Sequence, residues 1–122
     1  MDIQSFNDKM RIVQELVPGK QITLLHIIAN PDDILYQKLG LDTSVDYNKG
    51  AIGVMTVSPS ETAIIAGDIA IKASGAQIGF VDRFSGTLIV TGTVSSVQAA
   101  FDAVAEYMKN TLGYEVCAIT KT

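Results

Sequence analysis

The residues that could perform chemistry are few in this sequence and do not cluster. His26 is the only histidine and Cys117 the only cysteine. A catalytic nucleophile needs a neighbouring base, and a zinc ion normally takes four ligands. Motifs that bind phosphate, dinucleotides or catalytic zinc are also absent from the sequence. We therefore predict no catalytic residue, no metal site and no cofactor. We expect His26 to be a core histidine bonded to backbone, and Cys117 to be a small core residue.

One loop combines residue types that could bind or line something. Residues 82–86 are Asp-Arg-Phe-Ser-Gly, and they lie between two runs of strong β-strand character. In one interpretation they form a hairpin loop in which Gly86 supplies a positive φ angle. In the other, the loop projects into an assembly and lines a surface there. The sequence by itself favours neither interpretation.

The composition is apolar for a small protein. The chain has 122 residues, which suit one domain, and 48% of them are hydrophobic while 18% are charged. No run resembles a transmembrane helix and the first residues lack a secretory signal, so we expect a cytoplasmic protein with no membrane partner. The net charge is −4 and basic residues do not cluster, so we expect no nucleic-acid partner. A buried oligomer interface remains as the explanation for the apolar composition.

The helix predicted over residues 61–74, after the capping sequence Ser-Pro-Ser-Glu, supports such an interface. Small residues form one face that suits close packing on a sheet: Ala63, Ala66, Gly67, Ala70 and Ser74. The opposite face carries a narrow polar stripe of Glu61, Asp68 and Lys72. The stripe is flanked by Ile64 and Ile71 on one side and by Ile65 and Ile69 on the other. A helix that is apolar nearly all round is normally buried, so we expect these isoleucines to pack against other copies of the chain.

The remaining pattern predicts an alternation of strands and helices. A short helix starts at Pro31 with Asn30 as its cap and ends at Gly40, and a long helix begins at a capping box over residues 95–98. From residue 51 onward the order is βαββαβ, which predicts an α+β, ferredoxin-like fold with one antiparallel sheet and both helices on one face. The predicted strands cover residues 10–17, 21–28, 51–57, 77–81, 87–91 and 114–119.

We predict a single domain over residues 1–122 with four parts. Residues 1–19 form an N-terminal segment with an extra β-strand. Residues 20–40 hold a strand and a helix, and residues 41–50 form a polar junction loop. Residues 51–122 form the βαββαβ core.

Long strings of this sequence resemble the bacterial microcompartment shell domain, or BMC domain. AIGVMTV at residues 51–57 is similar to the first strand of the family, and residues 61–104 are similar to its helix–hairpin–helix core. HIIANPDDILYQKLG at residues 26–40 resembles the strand and helix that ordinarily close the domain, so here the domain is circularly permuted. The strings VPGKQITLLHIIANP and GFVDRFSG resemble the permuted hexameric subunits of ethanolamine- and propanediol-utilization compartments, the EutS and PduU type.

The resemblance implies a structural role. Six copies would form a hexagonal disc, discs would tile with other shell proteins, and the shell would confine aldehyde intermediates of an ethanolamine-, propanediol- or choline-type pathway. Phe84, Ser85 and Gly86 match the loop around the pore. Lys72 matches a lysine that contacts the neighbouring disc at the disc edge. The alternative role for Lys72 is a salt bridge with Asp68. Asn30 stands where the family has an arginine at that edge.

In the permuted group, the N-terminal segment forms a six-stranded parallel barrel over the hexamer axis. The resemblance assigns this segment to Arg11, Ile12, Val13, Gln14, Glu15, Leu16 and Val17. Alternation would turn Ile12, Gln14 and Leu16 into the barrel, or else the opposite set. The barrel implies a capped or gated axis rather than an open pore.

Two other functions compete with the shell subunit. A βαββαβ oligomer could be a small-molecule-binding regulatory protein, which a loop with several charged groups would favour; here only Asp82 and Arg83 are charged in such a loop. An enzyme would need a site shared between subunits, because one chain lacks a nucleophile–base pair.

Overall fold

A six-stranded mixed sheet organises the part of the chain that the structure describes. The structure is a computed structural model, and it describes residues 19–41 and 50–122. The elements in chain order are β1 Gln21–Ile28, α1 Asp33–Lys38, β2 Ala51–Ser58, α2 Thr62–Ala73, β3 Gln77–Asp82, β4 Thr87–Gly92, α3 Val94–Asn110, β5 Glu115–Val116 and β6 Thr120–Lys121. The strand predicted over residues 10–17 and most of the junction loop lie outside the described residues.

The strand order of the sheet is β3-β4-β2-β1-β5, and β6 also pairs with β1. The βαββαβ order from β2 onward is present as predicted, but the sheet is not purely antiparallel. β1 lies between β2 and β5 and runs parallel to β5 and β6. The single strand predicted over residues 114–119 is also wrong. Two short strands, β5 and β6, take its place. The break between them lies opposite the register shift of β1 between Ile22 and Leu24.

The main core lies between the sheet and the two long helices. Facing rows of the sheet bring Leu25, Met55 and Leu88 together beneath α2 and α3. The packing is close at Gly53, where a Cβ atom would stand 2.7 Å from the ring of Phe101. The two helices therefore share one face of the sheet, as the sequence predicts. Completely buried helix residues on this side include Ala63, Ala66, Ala70, Val97, Phe101, Val104 and Met108.

The short helix α1 covers part of the opposite face. Tyr36 and Leu41 pack there on Ile52 and Ile89, in a second apolar cluster. The Tyr36 hydroxyl donates a hydrogen bond of 3.0 Å to the carbonyl oxygen of Gly50. This contact links α1 to the residue that precedes β2.

The predicted start of α1 is wrong by two residues. Asp32, rather than Asn30, occupies the cap position, and its carboxylate accepts a 3.0 Å hydrogen bond from the Ile34 amide. Asp32 has the extended backbone that a cap requires, whereas Pro31 lies before the helix instead of in its first turn. Asn30 is left exposed on the connection between β1 and α1.

The two long helices also begin differently from the prediction. Thr93 caps α3 by accepting a 3.1 Å hydrogen bond from the Ser96 amide, so the helix starts before the predicted box over residues 95–98. At α2, Glu61 makes no side-chain cap. A tight turn starts that helix instead, with amides of Thr62 and Ala63 donating to carbonyls three residues earlier.

Candidate functional site

The loop between β3 and β4 is held in one shape by Asp82. One carboxylate oxygen accepts a 2.8 Å hydrogen bond from the Phe84 amide, and the other accepts one of 2.8 Å from the Ser85 hydroxyl. The Gly86 amide donates to the Asp82 carbonyl at 2.9 Å, and the Gly86 carbonyl accepts from the Val57 amide. Gly86 has a φ of 75°, and a Cβ atom there would clash with the Val57 carbonyl oxygen. The hairpin interpretation of this loop is therefore confirmed.

The same loop presents an exposed aromatic ring. Phe84 is 80% exposed, the most exposed large apolar residue in the described part of the chain. The Arg83 guanidinium lies 5.0 Å from the centre of its ring, at cation–π distance. We call these two residues the cation–π pair. Phe84 was predicted as a loop residue that could line a surface, but its contact with Arg83 was not predicted, because adjacency in the sequence does not by itself indicate it.

The electrostatics of the loop favour an ionised Asp82. Hydrogen bonds from the Phe84 amide, and then from the Ser85 hydroxyl, lower the pKa of the Asp82 carboxyl below its usual value. The charged form is the one that accepts both bonds. At neutral pH the loop therefore keeps the conformation that projects Phe84 outward.

Strand registers place the predicted pore and edge residues at opposite ends of the sheet. Thr87 pairs with Thr56 and Asp82, so residues 82–86 mark what we call the loop end. At the other end, which we call the far end, Gln77 and Ile28 begin and finish their strands. Strands of six to eight residues separate the two ends by about 20 Å.

Lys72 and Asn30 both lie at the far end. Lys72 is one residue before the end of α2, and Asn30 follows the last residues of β1. The Lys72 ammonium lies 2.8 Å from the Asp68 carboxylate, with both side chains mostly exposed, at 74% and 55%. The pairing with Asp68 is therefore present within the chain, and the expected contact of Lys72 at a disc edge stays a prediction.

The predicted barrel residues 11–17 lie outside the described residues. The point where the chain enters the sheet is nevertheless defined, because Gln21, the first residue of β1, pairs with Ser58, the last of β2. That pairing lies at the loop end. The N-terminal segment is thus joined to the chain at the same end of the sheet as Phe84.

Helix α2 leaves apolar side chains uncovered in the single chain. Ile64, Ile65 and Ile71 are 53%, 47% and 44% exposed, whereas Ile69 is half-buried against the core. The small-residue face packs on the sheet as predicted, with Gly67 close to Ile78 of β3. The fold of one chain therefore does not shelter the isoleucine flanks.

The candidate chemical residues serve the fold. His26 is half-buried, and its ring nitrogens contact the hydroxyls of Thr120 and Thr122 at 2.5 Å and 2.9 Å, so the expectation of backbone partners is wrong. It points to the less covered face of the sheet, where hydroxyls of β6 and the chain end reach it. Cys117 packs against the core, and burial raises the pKa of its thiol.

Within residues 19–41 and 50–122, no helix combines the length and apolarity needed to cross a membrane. No group of three or more His, Cys, Asp or Glu side chains in that part of the chain is placed to hold a metal ion.

Comparison with known families identifies the fold. The BMC domain family model matches residues 51–120, which is more than half of the chain. The chain therefore belongs to the BMC domain family. It is a bacterial microcompartment shell protein, and the strand and helix before residue 51 make it a circularly permuted member.

Several shell proteins match nearly the whole chain. The bacterial microcompartment shell protein EutS of Escherichia coli (strain K12) is 48% identical over 94% of this chain and 99% of its own length. The shell protein CutR of Streptococcus intermedius is 49% identical over 92% of each chain. The shell protein PduU of Salmonella typhimurium (strain LT2) is 46% identical over the full length of both.

Solved structures agree with these relatives. A CutR flat hexamer matches with a TM-score of 0.79 and 47% identity, over 87% of this chain and 94% of that one. A CutR screw form matches with a TM-score of 0.77 and 47% identity, over 86% of this chain and all of that one. A fused permuted hexameric shell protein, MSM0275 from the RMM microcompartment, shares the fold at 22% identity with a TM-score of 0.64, over 74% of this chain and 49% of that one.

Proposed function

We propose that this chain is a non-catalytic structural subunit that forms homohexamers, and that the hexamers tile with other shell proteins in the cytoplasm. The shell would enclose an ethanolamine-, propanediol- or choline-type catabolic pathway. Relatives named for more than one compartment, EutS, PduU and CutR, match at similar identity, so the proposal extends to this set of pathways rather than to one.

One observation carries the proposal: the exposed isoleucines of α2. Ile64, Ile65 and Ile71 flank an exposed ion pair, and residues 19–41 and 50–122 leave all three exposed. Large apolar side chains exposed together on one helix mark a protein–protein interface. Head-to-tail contacts between identical copies close into a ring, which gives each copy two different neighbours.

The two ends of the sheet indicate how each subunit would be oriented relative to the ring axis. The loop end, with Phe84, Ser85 and Gly86, would face the axis. The far end, with Lys72 and Asn30, would face the next disc. The strands separate these two sets by about 20 Å, which supports a subunit with one end toward the axis and the other toward the edge.

Residues 11–17 would cap the axis as a six-stranded barrel, one strand from each copy. The support within the structure is the entry of the chain into β1 at the loop end. Closing strands into a barrel satisfies their edges, which six separate strands would leave unpaired.

Deletion of residues 1–17 tests this division of roles. We expect the truncated chain to remain hexameric, because its α2 flanks are intact, and to show an open axis in a cryo-electron microscopy map viewed down the ring. The full-length chain is the control and should show density across the axis. Loss of the hexamer on deletion, or an open axis in both chains, would contradict the proposed cap.

A further inference from the structure

The sheet has two lateral edges that carry opposite charges at the loop end. Strand β3 forms one edge, and β5 and β6 form the other, beyond β1. Arg83 directly follows β3, whereas Glu115 is the first residue of β5, and both side chains are exposed. We call β3 with Arg83 the arginine edge, and β5 and β6 with Glu115 the glutamate edge.

The strand registers place Arg83 and Glu115 at nearly the same level along the sheet. Through β4, Asp82 at the end of β3 is level with Thr56 of β2. Through β1, Glu115 is level with Ser58 of β2, two residues closer to the loop end than Thr56. Arg83 lies one residue beyond Asp82, so the two charged residues differ in level by about 3.3 Å, the rise of one strand residue.

The two charges cannot meet within one chain. The strand order β3-β4-β2-β1-β5 has four gaps between the edges, which separate them by about 19 Å. Within residues 19–41 and 50–122 the only ion pair is Lys72 with Asp68, so neither Arg83 nor Glu115 has an oppositely charged partner there. The Arg83 guanidinium lies over the ring of Phe84, and a stacked guanidinium can still donate from the N–H groups in its plane.

Apolar side chains also make the arginine edge a contact surface. Gly67 of α2 faces Ile78 of β3, while Ile69 lines a groove beside α3. At about 100° per residue, Ile64 and Ile71 lie on the side of α2 away from Ile69, beside β3. The large apolar residues here that are between 39% and 53% exposed are Ile64, Ile71, Ile78 and Val81. The arginine edge therefore offers a second copy of the chain both apolar area and a cation.

We propose that Arg83 of each copy pairs with Glu115 of the next copy, so that arginine edges meet glutamate edges around the ring. In the proposed hexamer the loop ends face the axis, where neighbouring copies approach each other most closely. The Arg83 guanidinium donates N–H groups to the Glu115 carboxylate while its face stays over Phe84. The next copy also covers the isoleucines of α2 beside this edge. The proposal rests on the hexamer proposed above and names the contact that sets the direction of its head-to-tail packing.

Charge reversal of each partner tests the pairing. R83E places two carboxylates against each other at every contact of the ring, and E115R places two guanidinium groups there. We expect either variant to raise the protein concentration at which half of the chains are hexameric by about fivefold, measured by native mass spectrometry over a dilution series at low salt. R83E/E115R restores an opposite pair and should bring this concentration back to within about twofold of the wild type.

The matched control is R83E/D33R, which restores the same net charge at an exposed position of α1. That helix packs on the face of the sheet rather than along its edges. The control should assemble as weakly as R83E. No recovery in R83E/E115R beyond that of R83E/D33R, or unchanged assembly in both single variants, overturns the inference.

The neutral variants R83Q and E115Q remove the attraction without adding repulsion. Each should weaken assembly less than the corresponding reversal, and R83Q/E115Q should be no weaker than either single variant, because both remove the same contact. Additive losses in this double variant, with circular dichroism showing that the chains are folded, also overturn the pairing. A wild type that forms no hexamer contradicts the proposed function itself, whereas a wild-type hexamer that is insensitive to these changes contradicts the pairing alone.

Discussion

Asp82 shows how one side chain determines the shape of the loop that presents Phe84. Its carboxylate accepts from the Phe84 amide and from the Ser85 hydroxyl, and only the ionised form accepts both. An aspartate two residues before the amide that it binds is a frequent turn arrangement, so this contact could have been predicted from the sequence. The contribution of Asp82 to the free energy of unfolding must therefore depend on its ionisation.

The pH dependence of this contribution has a defined sign. The hydrogen bonds lower the folded-state pKa of Asp82 below the usual 3.8, so its stabilisation is complete above about that pH and is lost as the pH falls through the lower folded value. We expect Asp82→Asn to lower the thermal unfolding midpoint at pH 7 and to differ less from the wild type near pH 2.5. A difference between the two midpoints that stays constant over this range would contradict this assignment.

Single-residue details were predictable only where they depend on neighbouring residues. The positive φ of Gly86 follows from a glycine that closes a short hairpin, and the sequence predicted it as one of two interpretations. The partners of His26 did not follow, because the hydroxyls of Thr120 and Thr122 come from the opposite end of the chain. Contacts between distant segments depend on strand order, which local patterns do not define.

The elements themselves were predicted well from periodicity, whereas the starts of the helices were not. The strands from β1 to β4 differ from their predicted bounds by one residue at most. The start of α3 was misplaced, because Thr93, Ser95 and Ser96 are all acceptable caps by residue type. Only the backbone conformation shows that Thr93 is extended and that its hydroxyl reaches the Ser96 amide.

Replacement of Thr93 tests this assignment of the α3 cap. We expect Thr93→Ala to reduce the free energy of unfolding by about 1 kcal/mol, because an amide at the helix start loses its acceptor. Ser95→Ala, two residues further along, is the matched control and should change it by less than half as much. Urea denaturation at a fixed protein concentration measures both. A larger loss for the Ser95 variant would favour the box that the sequence alone indicated.

The order of strands in the whole molecule differs from a simple ferredoxin-like sheet. The βαββαβ core follows from the sequence, but the insertion of β1 between β2 and β5 does not. The hydrophobic pattern shows that β1 is a largely buried strand without showing which neighbours cover it. Because β1 is inserted there, the N-terminal segment joins the sheet at the end where Phe84 is exposed.

At the scale of the assembly, the proposed hexamer depends on a neighbouring copy that covers the α2 isoleucines. The helical wheel predicted uncovered isoleucines, and Ile64, Ile65 and Ile71 are about half exposed in the structure, whereas Ile69 packs partly against the core. The apolar area that they offer to a neighbour contributes about 25 cal/mol for each Å² buried. Charges placed at these positions should therefore prevent association without disturbing the core of each subunit.

Native mass spectrometry of the purified chain at micromolar concentration tests this most directly. We predict a hexamer for the wild type, a hexamer for the double variant I64L/I65L, which keeps the apolar surface, and folded monomers for I64E/I65E. Circular dichroism confirms that the glutamate variant retains its helices. A wild-type chain that is a stable folded monomer under these conditions, or a glutamate variant that remains hexameric, would contradict the account.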